Sequence, residues 1–147
     1  MTTSRARPTY NVGFIERTFN ALMKGLARLG VGPKLTYALS VPGRKTGNVH
    51  STPVTLVEEG GQRWLVAPYG VVDWVRNARA AGKVGLRRGK EAEIVPVTEL
   101  EPEAAAPVLK MYVERVSHPR PYFDNPPDAP AEAFVAEADR HPVFLLG

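Results

Sequence analysis

The amino-acid sequence predicts a fold of the α+β class, mainly an antiparallel β-barrel with helices on its outside. Strand-like segments outnumber helix-like ones, and four of them form two hairpins with short glycine-containing connections, at 58–61 and 89–90. The chain has 147 residues, of which 44% are hydrophobic and 23% charged, a composition that is ordinary for one globular domain. We therefore expect a single domain over residues 11–147, preceded by a flexible basic arm at residues 1–10.

Residues 11–30 are predicted to form an amphipathic helix with a basic polar face. Its apolar stripe recurs at spacings of three and four and consists of Ile15, Phe19, Leu22, Leu26 and Leu29. Such a helix either packs on the barrel or rests on an anionic membrane surface, and the sequence leaves both interpretations open.

The middle of the chain alternates between strand and helix patterns. The predicted elements are a strand at 34–40, a hairpin of strands at 52–57 and 62–67, a helix at 71–81 and a second hairpin at 83–88 and 91–98. The face of this helix that carries Val71, Trp74, Ala78 and Ala81 is expected to pack on the barrel, and Gly82 to end the helix.

The last third predicts two further helices and a terminal strand. Thr98 and Glu101 have the spacing of a capping box, which opens a helix that ends near Ser117. The expected core side of that helix comprises Leu100, Ala104, Val108, Met111 and Tyr112. Residues 118–130 contain five prolines and are predicted to form a long loop, followed by a short helix at 131–140 and a strand at 142–146.

Composition excludes several classes of function. Because the chain has no cysteine, it has no disulfide, thiolate nucleophile or cysteine-ligated metal site. Its three histidines, at 50, 118 and 141, lack the spacing of a metal site on one helix, so we expect no metal. No apolar run approaches the ~18 residues of a membrane span, and no signal peptide is evident. These features favour a cytoplasmic protein, in contact at most with the inner face of the membrane.

Positive charge is concentrated near the N-terminus. Residues 1–45 carry eight Lys or Arg against the single acid Glu16, whereas the rest of the chain carries eleven against fourteen. Such a basic region attracts an anionic ligand, a membrane surface or nucleic acid. Nucleic acid is disfavoured because no recognised binding motif accompanies the charge.

A glycine-bracketed turn at residues 43–47 combines two cations with a hydroxyl. In the order Gly43, Arg44, Lys45, Thr46 and Gly47, backbone N–H groups, a guanidinium, an ammonium and a hydroxyl can converge on a phosphate or carboxylate. The turn is not a Walker loop, which requires four residues between its first glycine and the Gly-Lys pair. It is therefore either an anion site or a solvated basic hairpin turn.

Around this turn the sequence resembles a known enzyme family. The pattern joins Gly-Arg-Lys-Thr-Gly, Pro53, Gly60-Gly61, Val66-Ala67 and a Trp-x-x-Asn-x-x-Ala segment that begins at Trp74. It is similar to the deazaflavin (F420)-dependent nitroreductase and F420H2-dependent quinone reductase family of actinobacteria. The resemblance implies a split β-barrel that transfers a hydride from reduced coenzyme F420 to a quinone, an activated alkene or a nitro compound.

The resemblance also implies positions for the coenzyme. By their places in the motif, the residues of the turn would contact its phosphate or oligoglutamyl tail: Arg44, Lys45, Thr46 and Gly47. Thr52 and Pro53 would lie near the polar edge of the ring, and Ala67 and Tyr69 would line the ring pocket. Trp74 and Asn77 would lie beside the phosphate or the ribityl chain. A hydroxyl of Tyr69 or Tyr122 could supply the proton that follows the hydride.

Departures from the family pattern leave alternatives open. Pro68-Tyr69-Gly70 stands where a Ser-Lys pair is frequent, and the tyrosine wall of the nitroreductases is represented by Tyr112 and Tyr122 alone. These departures bear on nitro-compound reduction more than on coenzyme binding. The alternatives are an FMN-binding split-barrel reductase and a non-catalytic, membrane-associated lipid or ligand carrier of the same fold.

Overall fold

Six antiparallel strands close into a barrel in the computed structural model, which describes residues 36–147. The strands are β1 Thr36–Pro42, β2 Val49–Glu59, β3 Gln62–Val66, β4 Lys83–Arg88, β5 Glu91–Glu99 and β6 Val143–Leu146. The helices are α1 Asp73–Ala81 and α2 Pro102–Arg115, together with the 3₁₀ helices η1 Arg120–Tyr122 and η2 Ala131–Arg140. The predicted arm at 1–10 and helix at 11–30 lie outside the described residues.

The barrel follows the order β1-β2-β3-β6-β5-β4, with β4 returning to β1. Two hairpins, β2–β3 and β4–β5, supply four of the strands, as predicted. Strand β6 joins them on one side, because Leu145 is paired with Trp64 of β3 and with Thr98 of β5. On the other side, Leu39 of β1 pairs with Leu86 of β4. The predicted antiparallel barrel with outer helices is confirmed.

Apolar side chains form two cores on opposite faces of the sheet. The barrel core consists mainly of Leu39, Val41, Leu56, Leu65, Val84, Leu86, Phe144 and Leu146, with Val75 and Ala78 of α1. The outer core lies against α2 and η2 and includes Val57, Val66, Val143, Leu109, Tyr112, Val113, Phe134 and Ala138. Strand residues alternate between the two cores, since successive side chains point to opposite faces.

The helix after β3 was correctly predicted, although it begins at Asp73, two residues later than expected. It ends at Gly82, whose φ of 71° places the backbone in the left-handed region that glycine tolerates. Its buried residues are Val75, Asn77 and Ala78, whereas Trp74 and Ala81 are only half-buried.

The predicted start of α2 is wrong. Thr98 does not cap a helix, because it belongs to β5 and pairs with Leu145. The helix instead begins at Pro102, and Glu101 precedes it without a side-chain cap bond. Proline is suited to this position since it has no N–H to satisfy. Ala104 was expected in the core but is exposed, because the following residue, Ala105, occupies the buried side.

The remaining predictions for this region are close to the structure. Helix α2 ends at Arg115, η1 interrupts the proline-rich loop, and the helix at 131–140 is of the 3₁₀ type. No helix within residues 36–147 combines the length and the apolar character that crossing a membrane requires.

Replacing Phe144 by alanine tests the role of β6 in closing the barrel. Phe144 is 1% exposed and its ring lies 6.0 Å from that of Trp74, so the substitution leaves a cavity in the barrel core. We expect a loss of about 3–5 kcal/mol in the free energy of unfolding, measured by urea denaturation. Leu145→Ala, on the half-buried outer face of the same strand, is the control and should cost less. Equal losses would contradict the assignment of Phe144 to the core.

Candidate active site

A cavity of about 740 Å³ lies at one end of the barrel, between the turn after β1, the start of β2 and the start of α1. Its lining comprises Val41, Gly43, Arg44, Lys45, Thr46, His50, Ser51, Thr52, Tyr69, Val72, Asp73, Trp74 and Asn77. Most of the residues that the sequence assigned to a ligand are therefore neighbours in space.

The turn at 43–47 is closed by backbone hydrogen bonds. Gly43 N–H donates to the Asn48 carbonyl at 2.7 Å, and Gly47 N–H donates to the Gly43 carbonyl at 2.8 Å. A Cβ on Gly43 would lie 3.2 Å from the Asn48 carbonyl oxygen and from Thr46 Oγ1, which explains the glycine. Thr46 Oγ1 accepts the Asn48 N–H at 3.2 Å, so its own hydrogen is available to a ligand.

Asn77 joins this turn to α1. Although only 5% of Asn77 is exposed, its Oδ1 accepts two hydrogen bonds from Arg44, one from the backbone N–H at 3.0 Å and one from Nη1 at 2.9 Å. One edge of the guanidinium is thus fixed, while its remaining N–H groups stay available. Asn77 therefore orients the cation, and a direct contact between Asn77 and a ligand stays a prediction.

The cavity also receives the N-terminus of α1. The helix begins at Asp73 without a side-chain cap, and Val72, Asp73 and Trp74 all line the cavity. The first N–H groups of a helix have no partner within it and favour an anion. Asp73 partly offsets this, since its carboxylate lies 3.9 Å from Arg44 Nη1 and 3.4 Å from Arg76 Nη1. Because 82% of the Asp73 side chain is exposed, water screens this negative charge.

A second cavity, of about 350 Å³, adjoins the first. The two share Thr52, Tyr69 and Trp74. The rest of its lining is mainly apolar or hydroxyl-bearing and comprises Thr36, Pro53, Val54, Thr55, Val66, Pro68, Tyr112 and His118. These three side chains therefore form the boundary between the two cavities.

Two tyrosines, Tyr69 and Tyr112, line the second cavity, and a third, Tyr122, packs on Tyr69. The rings of Tyr69 and Tyr122 meet edge to face with centroids 4.8 Å apart, and both side chains are largely exposed. Tyr112 lines the cavity although it is only 3% exposed. Burial raises the pKa of Tyr112 well above its ordinary value. The pKa of Tyr69 is also raised, mainly by burial and to a smaller extent by the neighbouring Tyr122. Both hydroxyls therefore keep their protons near neutral pH.

The residues that the sequence predicted to contact a ligand do not all line a cavity. It brings Arg44, Lys45, Thr46, Thr52, Tyr69, Trp74 and Asn77 around the first cavity, places Pro53 at the second and gives Gly47 a φ of 76° in the turn. Ala67, 1% exposed, lines neither cavity, because it packs in the barrel core and donates its N–H to Pro142. Tyr122 lies beside Tyr69. The roles of these residues toward a ligand stay predictions.

Sequence reasoning missed His50, Ser51 and His118, which line the cavities, and assigned Tyr112 no chemical role. His50 and Ser51 directly precede Thr52 on β2, so proximity to a candidate was the available signal. Among residues 36–147 no group of three or more His, Asp or Glu side chains is arranged to hold a metal ion.

Comparison with known proteins identifies a matching family model. The model of the family described as F420H(2)-dependent quinone reductase matches residues 16–123. The comparison with curated proteins gives no match.

Solved structures share the fold at low identity. One is a domain-swapped dimer, 21% identical, with a TM-score of 0.58 over 92% of this chain and 98% of that one. Another is an F420-H2 dependent reductase, 22% identical, with a TM-score of 0.55 over 80% and 97%. A third, from Clostridium acetobutylicum, is described as related to general stress protein 26, of the pyridoxinephosphate oxidase family. It is 11% identical to this chain and has a TM-score of 0.52 over 92% of this chain and 84% of that one. The fold is accordingly a split barrel.

Removing the Asn77 carboxamide should loosen the turn. Asn77→Ala deletes the acceptor of two Arg44 hydrogen bonds, one of them charged, and should lower the free energy of unfolding by about 1–3 kcal/mol in urea denaturation. Arg76→Ala, which removes an exposed side chain of the same helix, is the control and should have little effect. An effect no larger than that of the control would show that Asn77 does not hold the turn.

Tyr112 should make the fold sensitive to alkaline pH. Because its pKa is raised in the folded state, its contribution to stability is complete below the ordinary tyrosine pKa of about 10 and is lost as pH rises above it. The loss is about 1.4 kcal/mol per pH unit while only the unfolded state ionises. We expect the free energy of unfolding, measured by urea denaturation between about pH 9 and pH 11, to fall less steeply with pH for Tyr112→Phe than for the wild type. The exposed control Tyr122→Phe should behave as the wild type does. Parallel declines would contradict the pKa shift.

Proposed function

This chain belongs to the F420H2-dependent quinone reductase family, and we propose that it transfers a hydride from reduced coenzyme F420 to a small electrophilic acceptor. The acceptor is a quinone, an activated alkene or a nitro compound. The observation that supports this proposal best is the pair of adjoining cavities, one polar and cationic at its mouth, the other mainly apolar.

The residues of the first cavity fit the chemistry of the coenzyme. Coenzyme F420 has a flat deazaflavin ring, a ribityl chain, a phosphate and an oligoglutamyl tail. The free N–H groups of Arg44, the exposed Lys45 ammonium, the Thr46 hydroxyl and the start of α1 are donors suited to its anionic part. A guanidinium already oriented by Asn77 loses less freedom on binding than a mobile one.

The shared wall of the cavities suits the flat ring. Trp74 is half-buried and held in place by Phe144, with ring centroids 6.0 Å apart. Tyr69 and Thr52 stand at the same boundary and offer an aromatic surface and a hydroxyl. A ring bound along these three residues would face the second cavity, where an acceptor of modest size could lie against it.

When bound, the reduced coenzyme supplies the hydride, and the protein contributes placement and a proton. Reduction of a carbonyl or an activated double bond needs one proton in addition to the hydride. Tyr112 lines the second cavity, and its hydroxyl remains protonated because burial raises its pKa. We therefore assign proton donation to Tyr112 or Tyr69, which line the second cavity, with Tyr122 beside Tyr69.

Arg44→Lys is the sharpest test of this proposal. Lysine keeps the charge, but it cannot both bond to Asn77 and fork onto a phosphate, so the Kd of the coenzyme should rise about 10-fold or more. Binding is measured by quenching of deazaflavin fluorescence, and FMN serves as the competing ligand. Arg79→Lys, on α1 and paired with Glu99, makes the same change outside the cavity lining and is the matched control.

Wild-type protein should quench deazaflavin fluorescence at micromolar concentration, and the bound reduced coenzyme should be oxidised on addition of a quinone such as menadione. A preference for FMN would instead support the flavin alternative. If Arg44→Lys and Arg79→Lys both bind the coenzyme as the wild type does, the turn is not the site of the anionic groups.

A further inference from the structure

Glu137 and His141 form a buried pair outside both cavities. Glu137 is 1% exposed and His141 is 3% exposed, and His141 Nε2 lies 3.0 Å from Glu137 Oε1. Ionisable side chains at such depth are costly unless every polar atom is satisfied. The surroundings of this pair therefore decide what it does.

Every polar atom of the pair has a partner. Glu137 Oε1 accepts the Asp124 N–H at 2.9 Å, and Oε2 accepts the Asn125 N–H at 3.0 Å and its Nδ2 at 2.6 Å. His141 Nδ1 donates to the Pro68 carbonyl at 2.9 Å. Since a carbonyl oxygen can only accept, Nδ1 carries a hydrogen.

These bonds fix two segments that are far apart in sequence. Pro68 immediately precedes Tyr69, whereas Asp124 and Asn125 follow Tyr122 within three residues. In addition, the ring of Phe123, next to Tyr122, stacks on the His141 imidazole at 3.9 Å and 17°. The two segments meet where Tyr69 and Tyr122 pack edge to face.

We propose that Glu137 and His141 are positioning residues that set Tyr69 and Tyr122 at the rim of the acceptor cavity. The proposal rests on the proposed function in taking the second cavity as the acceptor site. His141 holds the Tyr69 side through Pro68, and Glu137 holds the Tyr122 side through the loop after η1. One buried pair thus fixes both halves of the aromatic rim relative to each other.

The pair is separate from the contacts that hold the coenzyme cavity together. Its partners lie at 68 and at 123–125, whereas the turn at 43–47 is held by Asn48 and Asn77. Disturbing the pair should therefore weaken acceptor binding strongly. Coenzyme binding should change little, because the turn at 43–47 holds the anionic part of the coenzyme and Tyr69 is the only residue of the rim that also lines the first cavity among the described residues. A residue that merely stabilised the fold would affect both to the same extent.

The test uses Glu137→Gln, which keeps the shape of the side chain. Its amide places N–H donors against the N–H groups of the loop, so the loop must shift. Glu132→Gln, exposed on the same 3₁₀ helix, is the matched control. The KM for menadione should rise about 5-fold or more, while the Kd of the coenzyme stays within about 2-fold of the wild type.

A second measurement is independent of turnover. With 3-fluorotyrosine incorporated throughout, the fluorine resonances of Tyr69 and Tyr122, assigned through Tyr69→Phe and Tyr122→Phe, should shift or broaden in Glu137→Gln. The resonance of Tyr37, which lines neither cavity, should not change. If Glu137→Gln fails to fold, Asn125→Ala removes one donor to Glu137, together with a bond to the Ala133 carbonyl, and should give the same signature at smaller size.

The two readouts separate the proposals. Unchanged resonances of Tyr69 and Tyr122 in a folded variant would overturn the positioning role, as would shifted resonances with an unchanged KM. Parallel changes of coenzyme Kd and KM would also overturn it, since they indicate a general loss of structure. Wild-type protein that fails to oxidise the reduced coenzyme with any acceptor would contradict the proposed function, and with it the assignment of the rim to an acceptor, whatever the fluorine spectra show.

Discussion

The pairing of β6 with both β3 and β5 is the constraint on which the rest of the structure depends. This strand has only four residues, yet it joins the two hairpins and seals the barrel. Closure removes the open edges of the sheet and packs Phe144 against the interior face of Trp74. Because Trp74 also lines both cavities, the geometry of the site follows from the closure of the barrel.

The site is assembled at the end of the barrel where connections, rather than strands, carry the polar groups. The turn after β1 contributes the cations, and α1 contributes its N-terminus and Asn77. Such connections have few internal restraints, so each is held by a specific side chain. Asn77 holds the turn, and the Glu137 and His141 pair holds the segments that bear the exposed tyrosines.

Local signals in the sequence were enough to predict most of the secondary structure. Glycines at positive φ mark the β2–β3 and β4–β5 hairpins and the end of α1, and they do so without tertiary information. Thr98 was wrongly predicted to cap α2, because its local sequence fits both a helix cap and a strand. Its pairing with Leu145, 47 positions away, places it in β5. The link between Arg44 and Asn77 spans 33 positions and that between His141 and Pro68 spans 73, so neither was visible in the sequence.

For the site residues too, local signals could be recognised in the sequence, whereas positions that depend on long-range packing could not. Arg44, Lys45 and Thr46 were found because they are consecutive in a recognisable turn. Ala67 lines neither cavity, because the direction in which a residue just past a strand points depends on the barrel, and here Ala67 packs in the barrel core. Tyr112 could be placed on a buried helix face, but its opening onto a cavity depends on the opposing strands.

The position of β6 along the chain has a consequence for synthesis. Its partner strands β3 and β5 are complete by residues 66 and 99, but neither can acquire its second neighbour until residues 143–146 have left the ribosome. During that interval two unpaired strand edges and the apolar barrel interior face the solvent, which favours association between nascent chains. Helix α2 and η2, which are synthesised in the meantime, cover the outer apolar face of β2 and β3 in the folded protein. The elements that cover the outer face are thus complete before the strand that closes the barrel.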